Sequence, residues 1–392
     1  MQSRPTWVDV DLDAIAHNYR VLRSRLRAGT LLLAQAKGNA YGHGLVEVAR
    51  AYERLGADWL GVACIDEAAR LRDGGVTKPI LVQAAILPEE AEAVLDYDAQ
   101  PAVGTFDVAE ALDRAAAARG MVAPIHLKVD TGMGRWGVWH EELLPFLERV
   151  LDLEHVRIAG CCTHLPSAEE DRKFTDKQVR LFRGLVEGMR DVLDGPILGH
   201  AANSMAVLAY PEAHLDLVRP GLALFGLYPT EALRGSVHLE PALVWKTRVA
   251  QLRPVAAGRT VSYGRTHTTR QATRIAVLPV GYADGYPRAL SNRSVVLVRG
   301  RRAPVVGRVC MDALLVDVGG VPDAHLGDEV TLIGRQGAEA ISAEELARRA
   351  GTISYEIVAR ISDRVPRQYL SADAAPGDET LAAHAAPILP RG

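Results

Sequence analysis

Eight short apolar runs, each followed by a polar turn and most by a helical pattern, predict an α/β protein whose N-terminal part is a (β/α)8 barrel of the TIM type. The runs fall at 31–36, 59–64, 79–83, 100–104, 125–129, 158–163, 197–201 and 217–221. Near Ser236 to Pro241 the rhythm changes, and segments that alternate β-branched with polar residues predict a C-terminal β-rich domain. A doubly wound sheet is the competing arrangement, but no Gly-x-Gly-x-x-Gly follows an early strand.

The first run, Leu31–Ala36, is apolar enough to be buried on both faces, as a parallel strand must be. Amphipathic stretches at 45–55, 66–72, 89–95, 108–119, 141–151 and 175–193 supply the outer helices. In the second part, strands are expected at 245–252, 274–280, 294–298, 313–318 and 330–333. A helix at 342–350 and an extended segment at 365–370 follow. The expected division is therefore 1–236 for the barrel and 237–372 for the β-rich domain. Residues 373–392, rich in Ala and Pro without periodicity, read as a flexible tail.

A chain of 392 residues can bury the cores that two domains need. Its formal charge of −3 gives no electrostatic footprint for nucleic acid or an anionic membrane, so a small-molecule partner is favoured. The first dozen residues are acidic and contain no long apolar stretch, so neither a signal peptide nor a membrane span is expected, and cytoplasmic residence is the default. Cys64, Cys161, Cys162 and Cys310 form no Cys-x-x-Cys pair and read as reduced thiols. No metal site is expected.

Chemistry concentrates where the barrel strands end. Lys37 closes an apolar strand and opens a glycine-rich turn, so it emerges at the edge where barrel enzymes place their active sites. A lysine amine deprived of water loses basicity and can form a Schiff base with an aldehyde. The later strands lead to Arg135, His164, Asn203-Ser204 and Arg219, so five polar ends converge on one mouth. Asn203, Ser204 and the turn at Gly221 offer a hydroxyl and backbone N–H groups to a phosphate. A rim lysine with a phosphate cradle suggests pyridoxal 5'-phosphate, with Arg219 facing the pyridine nitrogen.

The chain also carries nine motifs in a fixed order: Ala-Lys-Gly-Asn-Ala-Tyr-Gly-His-Gly (36–44), Lys-Val-Asp-Thr-Gly-Met-Gly-Arg (128–135), Thr-His (163–164), Ala-Asn-Ser (202–204), Val-Arg-Pro-Gly (218–221), Ser-Tyr-Gly (262–264), Gly-Tyr-Ala-Asp-Gly-Tyr-Pro-Arg (281–288), Gly-Arg-Val-Cys-Met-Asp (307–312) and Ser-Tyr-Glu (354–356). In these the sequence resembles the bacterial alanine racemases. That resemblance implies a pyridoxal phosphate-dependent isomerase, built as a head-to-tail homodimer with shared active sites and supplying D-alanine for peptidoglycan synthesis. It places the family's Schiff-base lysine on Lys37 and its opposing catalytic tyrosine on Tyr263, which reaches the site from the other subunit. Tyr41, His164, Asn203, Ser204, Arg219, Gly221 and Tyr355 match the cofactor contacts. Arg135 and Met311 match the contacts to the substrate carboxylate, and Tyr282 matches a tyrosine near the substrate entrance. Lys128 matches a position carbamylated in some members, where it orients the arginine.

Racemisation requires a proton to leave one face of Cα and return on the other, so two acid–base groups must flank it. The family pattern gives Lys37 the D-enantiomer's proton and Tyr263 the L-enantiomer's. Because a phenol ordinarily titrates near 10, neighbouring His164 and Arg219, with the cofactor's own field, are expected to favour its ionised form. A barrel-type pyridoxal phosphate decarboxylase is the nearest rival, but its characteristic glycine run is missing and Ser-Tyr-Gly stands where a second base is needed. A non-catalytic cofactor carrier on the same barrel would have no second domain to supply Tyr263. The departures from the family pattern, Lys-Gly-Asn at 37–39, Thr-His-Leu-Pro at 163–166 and Gly351-Thr352-Ile353, remove no catalytic group.

Overall fold

The computed structural model describes residues 4–193 and 195–371. Of the described residues, those in 15–40 and 45–240 form one compact unit and those in 4–14, 41–44 and 241–371 form the other. The N-terminal residues and the short segment 41–44 thus go with the β-rich part. The expected tail, 373–392, lies outside the described residues.

The first unit is a (β/α)8 barrel. Its strands are β1 (Leu31–Gln35), β2 (Trp59–Val62), β3 (Ile80–Val82), β4 (Ala99–Val103), β5 (Ala123–Asp130), β6 (Val156–Cys162), β7 (Leu198–His200) and β8 (Leu217–Val218). Successive strands from β1 to β7 pair in parallel, and β8 pairs in parallel with β1. Backbone hydrogen bonds from Asp216 N to Gly199 O (3.1 Å) and from Arg219 N to Ala202 O (2.8 Å) close the ring between β7 and β8. Leu33, Leu81 and Leu217 pack together with no exposed surface, so the barrel is filled by side chains and its polar strand ends are left at the mouth. The outer helix Arg172–Val192 starts earlier than its apolar periodicity predicts, because Asp171 caps it by accepting from Phe174 N at 3.0 Å.

The second unit is β-rich. One sheet runs in the order 301–304, 295–298, 329–336, 243–248, 6–11, 367–370. The strand Thr6–Asp11 sits inside it, antiparallel to Leu243–Arg248 and parallel to Arg367–Leu370. Thr6 and Thr247 share a buried hydroxyl hydrogen bond of 2.7 Å, and Lys246 bridges Asp9 (3.0 Å) and Glu329 (3.3 Å). A three-stranded sheet, 251–255, 273–278 and 314–317, lies beside a short hairpin, 260–261 with 267–268. The single strand expected over 245–252 is two strands, Leu243–Arg248 and Gln251–Val255, which belong to different sheets. Among the described residues no helix is long and apolar enough to cross a membrane.

Candidate active site

Lys37 follows β1 directly, and the backbone after it is unusual. Gly38, Asn39, Ala40 and Tyr41 all have positive φ, at 64, 54, 51 and 53°. They form one left-handed helical turn, closed by a hydrogen bond from Ala40 N to Ala36 O at 2.6 Å. Only glycine adopts this conformation freely; each other residue costs about 1–2 kcal/mol, so the turn must be held from outside. The Glu67 carboxylate does so, accepting from Gly38 N (2.6 Å), Asn39 N (3.2 Å) and Ala63 N (2.8 Å). Asn39 adds a bond of its own by accepting from Leu45 N at 2.8 Å.

The barrel mouth is electropositive, and this sets the state of its titrating groups. Burial, followed by the charges of Arg135 and Arg219, lowers the basicity of the Lys37 amine, and Glu67 opposes them. Burial and then Arg219 push His164 well below the ordinary histidine range, so His164 is a neutral imidazole. The positive charge near it is that of Arg219. Lys128 is buried on β5, its amine donating to Val129 O at 3.2 Å and lying 5.6 Å from the Trp136 ring centroid. Burial lowers its basicity too.

Arg219 is 6 % exposed and fully engaged at its terminal nitrogens. Nη1 donates to His200 Nδ1 (2.8 Å) and His200 O (2.6 Å), and Nη2 donates to Thr163 O (2.7 Å) and Ala201 O (3.4 Å). The Nε–H makes no hydrogen bond to the described residues and is the donor left for a ligand. Behind Arg219, His200 Nε2 meets His126 Nδ1 at 2.8 Å and His126 Nε2 meets Gln100 Oε1 at 3.2 Å. Asn203 caps the helix Ser204–Ala209 by accepting from Ala206 N at 3.0 Å. Ser204 Oγ accepts from Gly221 N (2.8 Å) and Ala223 N (3.2 Å), which leaves its hydroxyl hydrogen to donate. The Gly221 N–H expected to meet a phosphate is thus spent on Ser204. Arg135 is exposed at the end of a loop organised by Asp130, whose carboxylate accepts from Gly132 N (2.8 Å), Met133 N (2.7 Å) and Arg135 N (3.2 Å).

The β-rich unit brings together the remaining predicted residues in two groups. Tyr263, Tyr282 and Met311 are all exposed, at 71, 38 and 54 %. Tyr282 N donates to Cys310 O and Ala283 N to Met311 O, both at 3.0 Å, which ties the second and third of these segments together. Ser262 Oγ donates to Arg308 O at 2.6 Å and anchors the first. Ser262, Gly264 and Arg265 have φ of 64, 70 and 51°, so Tyr263 projects from a strained loop. In the second group the Tyr41 and Tyr355 ring centroids are 6.2 Å apart. A Cβ at Gly42 would collide with Val358 O on the helix Ser354–Ala359, so that close approach requires glycine. Burial raises the Tyr41 phenol above its ordinary range.

Glu67, Asp130, His126 and His200 were not among the candidates drawn from the sequence. Glu67 and Asp130 act through backbone N–H groups, which no side-chain motif reveals. The two histidines lie inside apolar strands, and their alternation with aliphatic residues was the signal available.

A desolvated lysine of lowered basicity and a buried arginine at the C-terminal mouth of a closed parallel barrel stand where barrel enzymes hold their active sites. Comparison with known proteins makes the assignment specific. Residues 10–229 match the family model described as alanine racemase, N-terminal domain, and residues 242–369 match alanine racemase, C-terminal domain. The chain belongs to the alanine racemase family, a family of isomerases. It is 44 % identical over 369 residues to an alanine racemase of Halothermothrix orenii, covering 94 % of this chain and 97 % of the relative. It is 47 % identical over 367 residues to one of Symbiobacterium thermophilum, covering 93 and 97 %. The fold superimposes on the crystal structure of alanine racemase from Bacillus anthracis with bound L-Ala-P at a TM-score of 0.90 and 37 % identity, covering 95 % of this chain and 96 % of that one.

Proposed function

We propose that this chain interconverts L-alanine and D-alanine, with Lys37 and Tyr263 as the two acid–base groups and pyridoxal 5'-phosphate as the cofactor. The observation that carries the reading is the pairing, in one barrel mouth, of a low-basicity Lys37 amine with a guanidinium that keeps only its Nε–H to offer. These residues fit the cofactor. Lys37 would hold its aldehyde carbon, Arg219 would donate to its ring nitrogen, and the Ser204 hydroxyl would donate to its phosphate. By the family's motifs His164, Asn203, Gly221, Tyr41 and Tyr355 complete the set. When bound, the cofactor supplies the electron withdrawal that makes the α-proton of an amino acid removable.

The chain's own groups do the rest. A neutral Lys37 amine takes the α-proton of D-alanine on its face of Cα, and Tyr263 donates one on the other; for L-alanine the roles reverse, so no net proton is gained or lost. Arg135 carries the positive charge that would bind the substrate carboxylate, and by the family's motifs Met311 serves the same carboxylate and Tyr282 the entrance. A charged, buried Arg219 at the ring nitrogen would disfavour a second positive charge there. Tyr263 stands exposed on its unit, as a residue lent to a partner's site must, which supports a homodimer with shared active sites. The product D-alanine would serve peptidoglycan synthesis in the cytoplasm.

Optical rotation tests the reading. Purified protein supplied with pyridoxal phosphate should bring both L- and D-alanine to zero rotation, and a panel of larger amino acids should respond weakly. Release of carbon dioxide without racemate would replace racemase by decarboxylase.

A further inference from the structure

The left-handed turn after Lys37 is held by one side chain that belongs to neither β1 nor the turn. Glu67 lies in the first turn of the helix Ile65–Asp73, and its carboxylate spans from Ala63 N (2.8 Å), at the end of β2, to Gly38 N (2.6 Å) and Asn39 N (3.2 Å). We propose that Glu67 is the positioning residue for Lys37: anchored on β2, it grips the two backbone N–H groups that follow the lysine and so fixes where the amine sits at the barrel mouth. Three of four turn residues are non-glycine, so the local sequence alone does not select this conformation, and an external clamp is needed.

The same carboxylate acts on charge. Arg135 and Arg219 face Lys37 with positive charge, His164 is neutral, and Glu67 is the anion that opposes them. A lysine that must both hold and release a proton needs this balance, since burial and then the two arginines all favour its neutral form and Glu67 favours the charged one. The catalytic part of this inference rests on the racemase reading; the effect on Lys37 itself does not.

Two variants of the full-length chain separate these roles. Glu67→Gln keeps the length of the side chain but removes its charge and presents an amide N–H₂ group to a backbone donor. Glu67→Asp keeps the charge but shortens the reach. In the cofactor-free chain, acetylation of Lys37 by acetic anhydride is followed against pH by mass spectrometry of its peptide. The labelling midpoint should move to lower pH in Glu67→Gln and return toward wild type in Glu67→Asp. In the loaded enzyme kcat for alanine should fall about tenfold or more in both, with KM little changed. A wild-type midpoint in a folded Gln variant, or wild-type kcat in either variant, overturns the proposal; should the Gln variant not fold, kcat of the Asp variant decides. Labelling needs neither substrate nor turnover, so it reads the role of Glu67 even if the chain fails to racemise alanine.

Discussion

Nη1 of Arg219 lies 2.8 Å from Nδ1 of His200, and that contact dictates where protons sit in the barrel core. A guanidinium can only donate, so His200 Nδ1 accepts and its proton is on Nε2. That N–H then donates to His126 Nδ1 at 2.8 Å, which places the His126 proton on Nε2, facing Gln100 Oε1 at 3.2 Å. Both rings are neutral: burial, then the Arg219 charge, pushes His126 down to about 3 and His200 well below the ordinary range. Arg219 is thus braced by an ordered chain of donors that ends at Gln100, on a strand at the far side of the core.

This ordering makes stability depend on pH. In the unfolded chain both histidines take up protons below about 6.5, while in the folded chain they do not until far lower. Their contribution is fully present above pH 6.5 and is lost as pH falls toward 3, at about 1.4 kcal/mol per pH unit for each ring. Urea unfolding at pH 7 and pH 5 should show this loss, and His126→Gln, which keeps a donor and an acceptor, should remove about half of the histidine share. An unchanged pH slope in that variant would mean that His126 is not held neutral.

Gly38 occupies the one turn position where glycine relieves strain, with φ of 64° and nothing within 4 Å of a Cβ built there. Gly38→Ala should therefore fit sterically and cost about 1 kcal/mol of stability through backbone conformation alone, with racemase activity kept. A urea midpoint equal to wild type would show that the turn is not left-handed in solution.

Shared active sites predict rescue between two inactive variants. Lys37→Ala and Tyr263→Ala, mixed and allowed to exchange subunits at random, give about half mixed dimers, each with one intact site, hence roughly a quarter of wild-type sites. Activity measured by polarimetry should rise to that level. No rescue after demonstrated exchange would place both residues of each site on one chain.

Much of this was legible in the sequence. The strand ends at Lys37, His164 and Arg219 showed because an apolar run that stops on a polar residue can only deliver it to the barrel rim. The left-handed turn did not show, since Ala40 and Tyr41 carry no local signal for positive φ, Asn39 carries only a weak one, and the clamp on the turn, Glu67, acts from the next βα unit. Nor did the place of Thr6–Asp11: its six residues are almost wholly buried, so no alternation marks a sheet, and its partner strand begins only at Leu243. That the Gly221 N–H is taken up by Ser204 was not legible either, because the bond closes between two strand ends 17 residues apart. Patterns along the chain report which face is buried; contacts that close across strands are set by tertiary packing.

Proton NMR of Tyr263→Phe in D2O tests most directly whether Lys37 and Tyr263 serve opposite faces of one Cα. The variant should racemise alanine at least about a hundredfold more slowly than wild type. It should still exchange the α-proton of D-alanine for deuterium through Lys37, while L-alanine keeps its α-proton. Exchange of both enantiomers at equal rates, or racemisation at the wild-type rate, would contradict the two-base assignment.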